Sequence, residues 1–377
     1  MVFPAEARQE RNPETGEKDM EEIIQLFRTE GTPVRCVPHG SGHINQTWLV
    51  ETDRSRRYIL QKVNTSTFPD ADGLMRNIIL VTGHLRKKDP TPGHVLTLVP
   101  TADGEFYIKK PGNELWRMYD FISGGICLDR AESPEDFRLS GTAFGRFQQQ
   151  MADFPAGELT EVICGFHDTP ARYAALRRAI REDRAGRLAG VREETAFCLE
   201  REESAGRMVS MQRAGELPLR VTHNDTKLNN VMLDEKTRQP LCILDLDTVM
   251  PGLAGNDFGD AIRFGASTAA EDEPDLSRVH LDLELYAAFA EGFLGACGKD
   301  LTEAELETLP DGARLMTLES AVRFLTDYLD GDVYFHTARP EHNLDRTRTQ
   351  IALVAEMEAN EGRIRQMMRR IRVEEGI

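Results

Sequence analysis

The stretch VTHNDTKLNN, residues 221–230, places acidic, basic and amide side chains between apolar flanks. Asp225 is a candidate general base, because a positioned carboxylate can accept a proton from a substrate hydroxyl group. Asn230 follows five residues later and carries an oxygen of the kind that Mg²⁺ prefers. We expect His223 to brace the loop, whereas Lys227 and Asn229 receive no role from the sequence. The stretch therefore predicts proton transfer beside a metal site.

Two short apolar runs, VML and LCIL, follow this stretch and are separated by the turn-rich DEKTRQP. This pattern predicts a β-hairpin, which brings its two outer ends together. Asn230 precedes the first run and Asp245 follows the second, so we expect the two side chains to meet. They form a plausible magnesium site in which phosphates and water complete the coordination. Asp247 points either at a second metal ion or at water, and the sequence leaves this open.

The spacing of His223, Asp225 and Asn230 is that of a kinase catalytic loop, in which the aspartate accepts the substrate hydroxyl proton. The string DFG at residues 257–259 imitates a kinase metal-binding motif. However, it comes after the MPG turn, at the start of a segment with helical spacing. We therefore expect Asp257 to cap that helix or to bond the catalytic loop.

The elements before residue 122 predict a small antiparallel sheet that carries a helix. MEEIIQLF has helical spacing, TWLVET and RYILQKV alternate like strands, and LMRNIILVTGHL returns to a helical period. The runs HVLTLVP and EFYIKK flank ADG and predict a hairpin. WRMYDFI is the last segment with strand character.

The chain after residue 122 is mostly helical in pattern. Ser133 as cap and Pro134 at the first helical position predict a helix start, and helical segments dominate up to 216 and again after 280. We predict an α+β fold of two lobes, with a small antiparallel-sheet N-terminal lobe and a larger helical C-terminal lobe. The expected boundaries are a tail at 1–18, a nucleotide-binding lobe at 19–122 and a catalytic lobe at 123–377.

Composition narrows the classes of function. The formal charge of −17 repels phosphate backbones, so a nucleic-acid partner is not expected. The six cysteines have no spacing that would hold zinc, and no apolar run is long enough to cross a membrane. The first residues lack the apolar segment of a signal peptide. We expect a cytoplasmic protein with no membrane association and no evident obligate protein partner.

The lobe order, HNDTKLNN and ILDLDT together resemble the aminoglycoside phosphotransferase and choline kinase group of small-molecule kinases. More narrowly, the chain resembles the bacterial N-acetylhexosamine 1-kinases from about residue 36 to residue 356. The motifs that carry this resemblance are HGSGHINQTW, YILQKVNTSTFPD, LMRN, FHDTP, VTHNDTKLNN, DFGDAIRFGAST, RFLTDYLDGDVYF and EHNLDRTRTQIAL. The resemblance implies phosphorylation of the anomeric hydroxyl of N-acetylglucosamine or N-acetylgalactosamine, with ATP as co-substrate and Mg²⁺ as cofactor.

The resemblance also implies roles for single residues. The catalytic base falls on Asp225 and the magnesium ligands fall on Asn230 and Asp245. The sugar contacts fall on His43, Asp225, Arg323 and Tyr334.

Without the resemblance, Arg323 would be interpreted differently. Glu319 and Asp327 lie four residues to either side of it, which is the spacing of a surface salt-bridge ladder on a helix. Tyr334 would more often be a core residue than a ligand contact.

The nucleotide site carries an open alternative. Kinases pair a strand lysine with a helix glutamate, but LMRNIILV contains no glutamate. If Leu60 and Lys62 face the cleft, Leu60 lines the adenine pocket and Lys62 reaches the phosphates. If Gln61 faces the cleft, Lys62 points away and magnesium carries the charge.

We expect the adenine base to contact the connector after the last strand of the first lobe. The candidate backbone partners are Tyr119, Asp120 and Ile122.

Three other functions remain as alternatives. The first is a kinase of the same fold that acts on an amino alcohol, homoserine or an aminoglycoside. The second is a catalytically inactive nucleotide- or sugar-binding protein. The third concerns RIRQMMRRIR near the C-terminus, which is either a basic amphipathic helix for a membrane or partner or a solvated helix, and we favour the latter.

Overall fold

The computed structural model describes residues 20–40 and 44–377. Its N-terminal part contains one antiparallel sheet with the strand order β1-β2-β3-β5-β4. The strands are β1 (Pro33–Pro38), β2 (Gln46–Thr52), β3 (Arg57–Val63), β4 (Ile108–Lys110) and β5 (Glu114–Asp120).

The two faces of this sheet have different neighbours, because successive side chains of a strand point to opposite sides. The outer face, which includes Leu60 and Trp116, packs against the short helix α1 (residues 20–25). The inner face, which includes Val63 and Leu115, packs against helix α2 (Ala71–Lys88) and against residues of the C-terminal part. The inner face is therefore the one that borders the rest of the molecule.

The predicted hairpin around ADG is wrong. The chain does turn at ADG, where the Thr101 amide donates to the Glu105 carbonyl oxygen at 2.7 Å, but the two flanking runs do not pair as strands. The paired hairpin forms at a later turn, residues 111–113, so that Lys110 pairs with Glu114. Gly112 and Asn113 take left-handed backbone conformations there, with φ of 83° and 61°, which suits a short hairpin loop. The preceding run joins the sheet through an isolated bridge between Leu98 and Tyr119 instead.

A larger, mostly helical part follows β5, in agreement with the predicted fold class. Its first helix begins as predicted, because the Ser133 side chain accepts a hydrogen bond from the Asp136 amide and Pro134 occupies the first helical position. The helices are α3 (Pro134–Gln150), α4 (Thr169–Glu182), α5 (Arg192–Glu200), α6 (Glu202–Ala205), α7 (Arg207–Arg213), α8 (Ala254–Gly265), α9 (Leu283–Cys297), α10 (Glu303–Asp330), α11 (His342–Ala359) and α12 (Glu361–Glu374).

Two small sheets interrupt the helices and position the polar stretch at 221–230. The predicted hairpin is present as β8 and β9, and β6 pairs with the free edge of β8. β7 and β10 form a separate antiparallel pair. Their bounds are β6 (Gly125–Cys127), β7 (Arg220–Thr222), β8 (Val231–Asp234), β9 (Pro240–Ile243) and β10 (Met250–Gly252).

The basic C-terminal helix α12 uses its apolar side within the molecule. Ile364, Met368 and Ile371 are buried in the core cluster that includes α9. Two of its arginines bond acidic side chains, since Arg365 lies 2.9 Å from Asp311 and Arg372 lies 2.6 Å from Glu303. This arrangement agrees with the favoured interpretation of a solvated helix. Within the residues that the structure describes, no helix combines the length and apolarity needed to span a membrane.

Candidate active site

The loop that follows β7 is held by the carboxylate of Asp257. Its two oxygens accept hydrogen bonds from the backbone amides of His223, at 2.9 Å, and Asn224, at 2.8 Å. The side-chain amide of Gln148 donates a third bond at 2.8 Å. Burial raises the pKa of Asp257, although these bonds act in the opposite direction. The prediction that Asp257 bonds the catalytic loop is therefore confirmed.

The rest of the DFG string also has a structural role. Phe258 is fully buried in the core, and Gly259 lies where α8 crosses α10. A methyl group at Gly259 would overlap the carbonyl group of Gly312. A glycine is therefore required at this helix crossing. The three residues of the DFG string support the catalytic loop and pack within the protein.

His223 braces the loop as a neutral ring. Its Nε2 lies 2.8 Å from the carbonyl oxygen of Leu244, and its Nδ1 accepts a hydrogen bond from the Asp225 amide at 3.3 Å. A ring that donates from Nε2 and accepts at Nδ1 is the neutral tautomer. The ring also packs edge-on against Phe144 and Phe147. This environment fits the predicted bracing role.

Asp225 lies between a cation and an amide. Its Oδ1 is 3.0 Å from the ammonium group of Lys227, and its Oδ2 accepts a hydrogen bond from Asn230 Nδ2 at 3.1 Å. Burial raises the pKa of Asp225, but the positive charge of Lys227 outweighs it and holds the pKa well below its usual range. The same pair raises the pKa of Lys227 against the effect of burial. Asp225 is therefore ionised and able to accept a proton.

The hairpin brings Asn230 and Asp245 together. The Leu244 amide donates to the carbonyl oxygen of Asn230 at 2.8 Å, and Asp245 comes next in the chain. Asp245 has a left-handed backbone with φ of 52°, a conformation that aspartate adopts more readily than most residues. Its side chain is exposed. The surrounding protein, together with the carboxylates of Asp247 and Asp225, raises the pKa of Asp245 to about 7.

This group of residues fits a magnesium ion. The surrounding protein and the neighbouring carboxylates of Asp247 and Asp225 raise the pKa of Asp245, and a bound cation would favour its ionised form. The Asn230 amide nitrogen donates to the Asp225 backbone carbonyl at 2.9 Å, which orients the amide oxygen as well. Asn230 and Asp245 would hold the ion. Within the described residues, no group of three or more His, Cys, Asp or Glu side chains is arranged to hold a metal ion.

Both carboxylate oxygens of Asp247 have partners in the protein, which the sequence did not predict. Its Oδ1 forms an ion pair with Arg117 of β5 at 2.6 Å, and its Oδ2 accepts a hydrogen bond from Asn45 at 2.6 Å. Arg117 is only 1% exposed, and its Nε donates to Gln61 at 2.9 Å. Burial opposes the charge of Arg117, but Asp247 raises its pKa. The pair therefore remains ionic and joins the sheet to the loop after β9.

The structure decides the register of β3 in favour of Gln61. Leu60 is completely buried in the outer-face cluster, so it cannot line the adenine pocket. Lys62 shares that face, where its ammonium group lies 3.1 Å from Glu114 and 5.5 Å from the ring centre of Trp116. The predicted nucleotide contacts of Leu60 and Lys62 are therefore corrected, because both side chains point away from the face that carries Arg117.

Two of the three connector residues already use their backbone groups. Tyr119 pairs with Ile59 on one side and forms a bridge to Leu98 on the other, and the Asp120 amide donates to the Thr97 carbonyl at 2.9 Å. The predicted adenine contact of the Tyr119 backbone is therefore corrected, whereas the contact of Asp120 is excluded only for its amide and stays a prediction for its other backbone group. Ile122 lies outside the strand and also remains a candidate partner.

Besides Asp225, two of the predicted sugar contacts, Arg323 and Tyr334, belong to the described residues. His43 lies outside the described residues. Arg323 is half-buried on α10, with its guanidinium carbon 6.0 Å from the ring centre of Phe166 and 5.4 Å from that of Phe335. Tyr334 is 42% exposed and packs edge-on against Phe335. The structure thus brings Arg323 and Tyr334 into one aromatic cluster.

The salt-bridge ladder around Arg323 does not form. Glu319 instead bonds His167 at 2.9 Å and Thr169 at 2.5 Å. Asp327 accepts hydrogen bonds from three consecutive amides, those of residues 333–335, at 2.7 to 2.9 Å. Within the described residues, no ion pair shorter than 4.0 Å involves Arg323. Burial and the nearby Arg172 lower the pKa of Arg323.

The sequence interpretation missed Arg117 and gave Lys227 no role. A signal existed for Arg117, because a charged residue between Trp116 and Met118 in a strand of apolar character is unusual unless it is paired. Its partner Asp247 lies 130 residues away, and spacing alone does not reveal such a contact. Lys227 could have been recognised as a cation two residues after a candidate base.

A small antiparallel sheet, a helical C-terminal part and a polar loop joined to a β-hairpin define a two-lobed kinase-like fold. A family model described as the phosphotransferase enzyme family matches residues 35–291, more than half of the chain. The chain belongs to this family.

Several solved kinases share the fold. A microcompartment-associated aminopropanol kinase is 17% identical, with a TM-score of 0.58 and coverage of 92% of this chain and 98% of that chain. An amicoumacin kinase in complex with AMP-PNP, Ca²⁺ and Ami is 15% identical, with a TM-score of 0.61 and coverage of 93% and 96%. A choline kinase from Cryptosporidium parvum Iowa II is 13% identical, with a TM-score of 0.58 and coverage of 92% and 97%. At these identities the likeness shows the fold.

Proposed function

We propose that the chain is an ATP-dependent kinase that phosphorylates the anomeric C1 hydroxyl group of N-acetylhexosamines, giving the sugar 1-phosphate and ADP. The observation that carries the kinase assignment is the ionised Asp225 beside Lys227 and Asn230, with Asp245 delivered by the adjoining hairpin. The sugar assignment is supported by the motif resemblance and by the surroundings of Arg323.

The reaction is a direct transfer. The sugar O1 attacks the γ-phosphorus of ATP while Asp225 accepts the hydroxyl proton, and the bond between the γ-phosphorus and the β,γ-bridging oxygen breaks to release ADP. Positioning and charge neutralisation supply most of the rate enhancement in this chemistry. Lys227 lies 3.0 Å from Asp225 and places a positive charge next to the base. A bound magnesium ion would neutralise part of the phosphate charge.

The acceptor is expected to be uncharged. Arg323 has no carboxylate partner among the described residues, and Arg172 adds a second positive charge nearby. A cationic acceptor such as an amino alcohol or aminoglycoside would be repelled by this pair if it bound there. A sugar offers hydroxyl and carbonyl oxygens to the guanidinium group, and its ring can pack on Tyr334, which is 42% exposed. Phe166 and Phe335 are instead buried beneath Arg323. The overall charge of −17 favours cations at long range, but contacts within the site decide recognition.

The function is tested by ADP release from the purified chain with ATP and Mg²⁺. The acceptor panel contains N-acetylglucosamine, N-acetylgalactosamine, glucose, galactose, ethanolamine, choline, 1-amino-2-propanol, homoserine and kanamycin. We expect the two N-acetylhexosamines to give the highest kcat/KM and the product to resist further phosphorylation. Preference for any amino compound would overturn the sugar assignment. ADP release with no acceptor at all would overturn the kinase assignment in favour of ATP hydrolysis.

The role of the base is tested by Asp225→Asn. We expect kcat to fall by about 10³-fold, because a positioned general base contributes about 10² to 10⁴-fold. The control is Asp129→Asn, which makes the same change at an exposed position and should leave kcat unaltered. Thermal unfolding of both variants separates lost chemistry from lost structure. Near-normal turnover of a folded Asp225→Asn variant would rule out the proposed base.

A further inference from the structure

The cation on the inner face of the sheet is Arg117 of β5, and not a lysine of β3. In the general kinase arrangement a lysine of the third strand reaches the phosphates. Here Gln61 occupies the inner face of β3, and Lys62 is paired with Glu114 on the outer face. Arg117 lies directly across from Gln61 on β5, since the two residues are register partners. The positive charge therefore comes from the neighbouring strand at the same level of the sheet.

A continuous series of polar contacts starts at this arginine. Gln61 accepts from Arg117 Nε at 2.9 Å and donates to Thr47 at 3.2 Å. Asp247 is held by Arg117 on one oxygen and by Asn45 on the other, both at 2.6 Å. The carboxylate of Asp247 is thus contacted by β5 and by the loop before β2, while β3 contacts Arg117 through Gln61.

This carboxylate lies two residues after Asp245, in the same turn that follows β9. Fixing Asp247 against the sheet therefore also fixes the turn that carries the proposed metal ligand. The charge of Arg117 acts on the same group, because Asp225, Asp245 and Asp247 are three neighbouring carboxylates. Arg117 and Lys227 are the cations that offset them.

We propose that Arg117 is the positioning residue for the nucleotide phosphates and their metal ion, and that it replaces the strand lysine of the general kinase arrangement from the facing position on β5. Arg117 acts through Asp247, and this keeps the Asp245 turn against the inner face of the sheet. The proposal rests on the proposed kinase function for its ligand, and it adds a residue that the kinase pattern does not assign.

The test moves the positive charge from position 117 on β5 to position 61, its register partner on β3. Calorimetric titration with ADP in the presence of Mg²⁺, without any sugar, compares the wild type with Arg117→Gln and with the double variant Gln61→Lys/Arg117→Gln. We expect Arg117→Gln to weaken Mg·ADP binding by about 10- to 100-fold, the range for loss of a group that supports a metal-binding side chain indirectly. The double variant should recover at least about tenfold of that loss. Lys62→Gln, which removes a lysine of the outer face, should bind within about twofold of the wild type.

A second readout separates positioning from general stability. Thermal unfolding is measured for each variant, and KM for ATP should change more than kcat in Arg117→Gln. If a folded Arg117→Gln variant binds Mg·ADP like the wild type, the proposal is overturned. It is also overturned if the double variant is as stable as the wild type but binds no better than Arg117→Gln.

Two further outcomes are decisive. If Arg117→Gln is too unstable to purify, Arg117→Lys and the double variant carry the test, and both should bind within about tenfold of the wild type. Binding more than about 100-fold weaker by both folded variants contradicts the proposal. Wild-type protein that does not bind Mg·ADP overturns the proposed function, and the role of Arg117 with it. Failure with every sugar but normal Mg·ADP binding overturns only the acceptor assignment.

Discussion

Arg117 is a buried arginine and Arg323 is a half-buried one, and their surroundings are opposite. Arg117 is 1% exposed and pairs with Asp247 at 2.6 Å. Arg323 has acidic residues at the neighbouring turns of its own helix, yet both are engaged elsewhere, Glu319 by His167 and Asp327 by backbone amides. A buried guanidinium group with a carboxylate partner ties parts of the chain together. One whose neighbouring carboxylates are occupied keeps its donors for a ligand.

The difference arises because the two carboxylates nearest to Arg323 along its helix are engaged by other groups. The side chains that occupy Glu319 come from the FHDTP motif, namely His167 and Thr169, at the start of α4. The amides that occupy Asp327 belong to the segment that carries Tyr334. Each acid therefore gains a structural partner, whereas Arg323 interacts with the Tyr334 side chain and forms no ion pair shorter than 4.0 Å within the described part of the chain. The FHDTP motif and the Tyr334 segment therefore affect the proposed sugar site indirectly, because they engage the two carboxylates that could otherwise pair with Arg323.

The largest expected effect tests the paired arginine. Asp247→Asn should lower the free energy of unfolding by about 3 to 5 kcal/mol, because it leaves Arg117 buried without a charge partner. Urea-induced unfolding measures the loss. Arg323→Met is the comparison variant and should cost no more than about 1 kcal/mol, since it breaks no ion pair. Equal losses in the two variants would remove the distinction between the arginines.

The next largest effect is expected at Asp327, whose carboxylate bonds backbone amides and does not pair with Arg323. Asp327→Asn should lower the free energy of unfolding by about 1 to 3 kcal/mol, because a neutral amide accepts hydrogen bonds less strongly than a carboxylate. The looser Tyr334 segment should raise the acceptor KM and leave the ATP KM unchanged. Steady-state kinetics with each substrate varied checks this, with Asp330→Asn at the same helix end as the control. An increase confined to the ATP KM would contradict the assignment.

A smaller effect concerns Arg323 itself. Arg323→Lys should raise the acceptor KM by about tenfold, because lysine keeps the charge but loses the planar donor group. The melting temperature should stay close to that of the wild type. Arg178→Lys repeats the exchange at an exposed position of α4 and should change neither quantity. An unchanged acceptor KM in Arg323→Lys would place the acceptor elsewhere.

The smallest effect is expected at Lys62. Lys62→Gln removes a partly exposed ion pair with Glu114 on the outer face, and such pairs contribute about 0 to 1 kcal/mol. The ATP KM should therefore remain within about twofold of the wild-type value. A large increase would show that Lys62 reaches the nucleotide after all and would weaken the contrast with Arg117.

Short-range patterns predicted much of this architecture. The two-lobed fold, the start of α3 at Ser133, the β8–β9 hairpin and the loop-supporting role of Asp257 all follow from local spacing and turn chemistry. These features succeed because neighbouring residues determine them. The backbone contact between Leu244 and Asn230, which places Asp245 next to the end of β8, belongs to this class, since a hairpin makes distant positions adjacent.

Other features depend on partners that are remote in sequence. Gln61 and Lys62 are both polar, so alternation alone does not decide which faces the cleft, and the decision comes from Arg117 on a different strand. The i,i+4 spacing around Arg323 predicts a ladder on an isolated helix, but buried partners from α4 compete successfully for Glu319. The chain does turn at ADG, but the run before it bonds β5 through Val99 and Met118 at 2.8 Å, a partner that local spacing does not reveal.

Helix α10 also sets a distance. Near its beginning, Gly312 contacts Gly259 of α8, the helix whose Asp257 holds the catalytic loop. Arg323 follows eleven residues later on the same helix, which corresponds to a rise of roughly 16 Å along the axis. The helix thus works as a ruler between the phosphoryl-transfer loop and the proposed acceptor contact. Adding or removing one helical turn between Gly312 and Arg323 would change this distance, and with it the size of acceptor that could reach both sites.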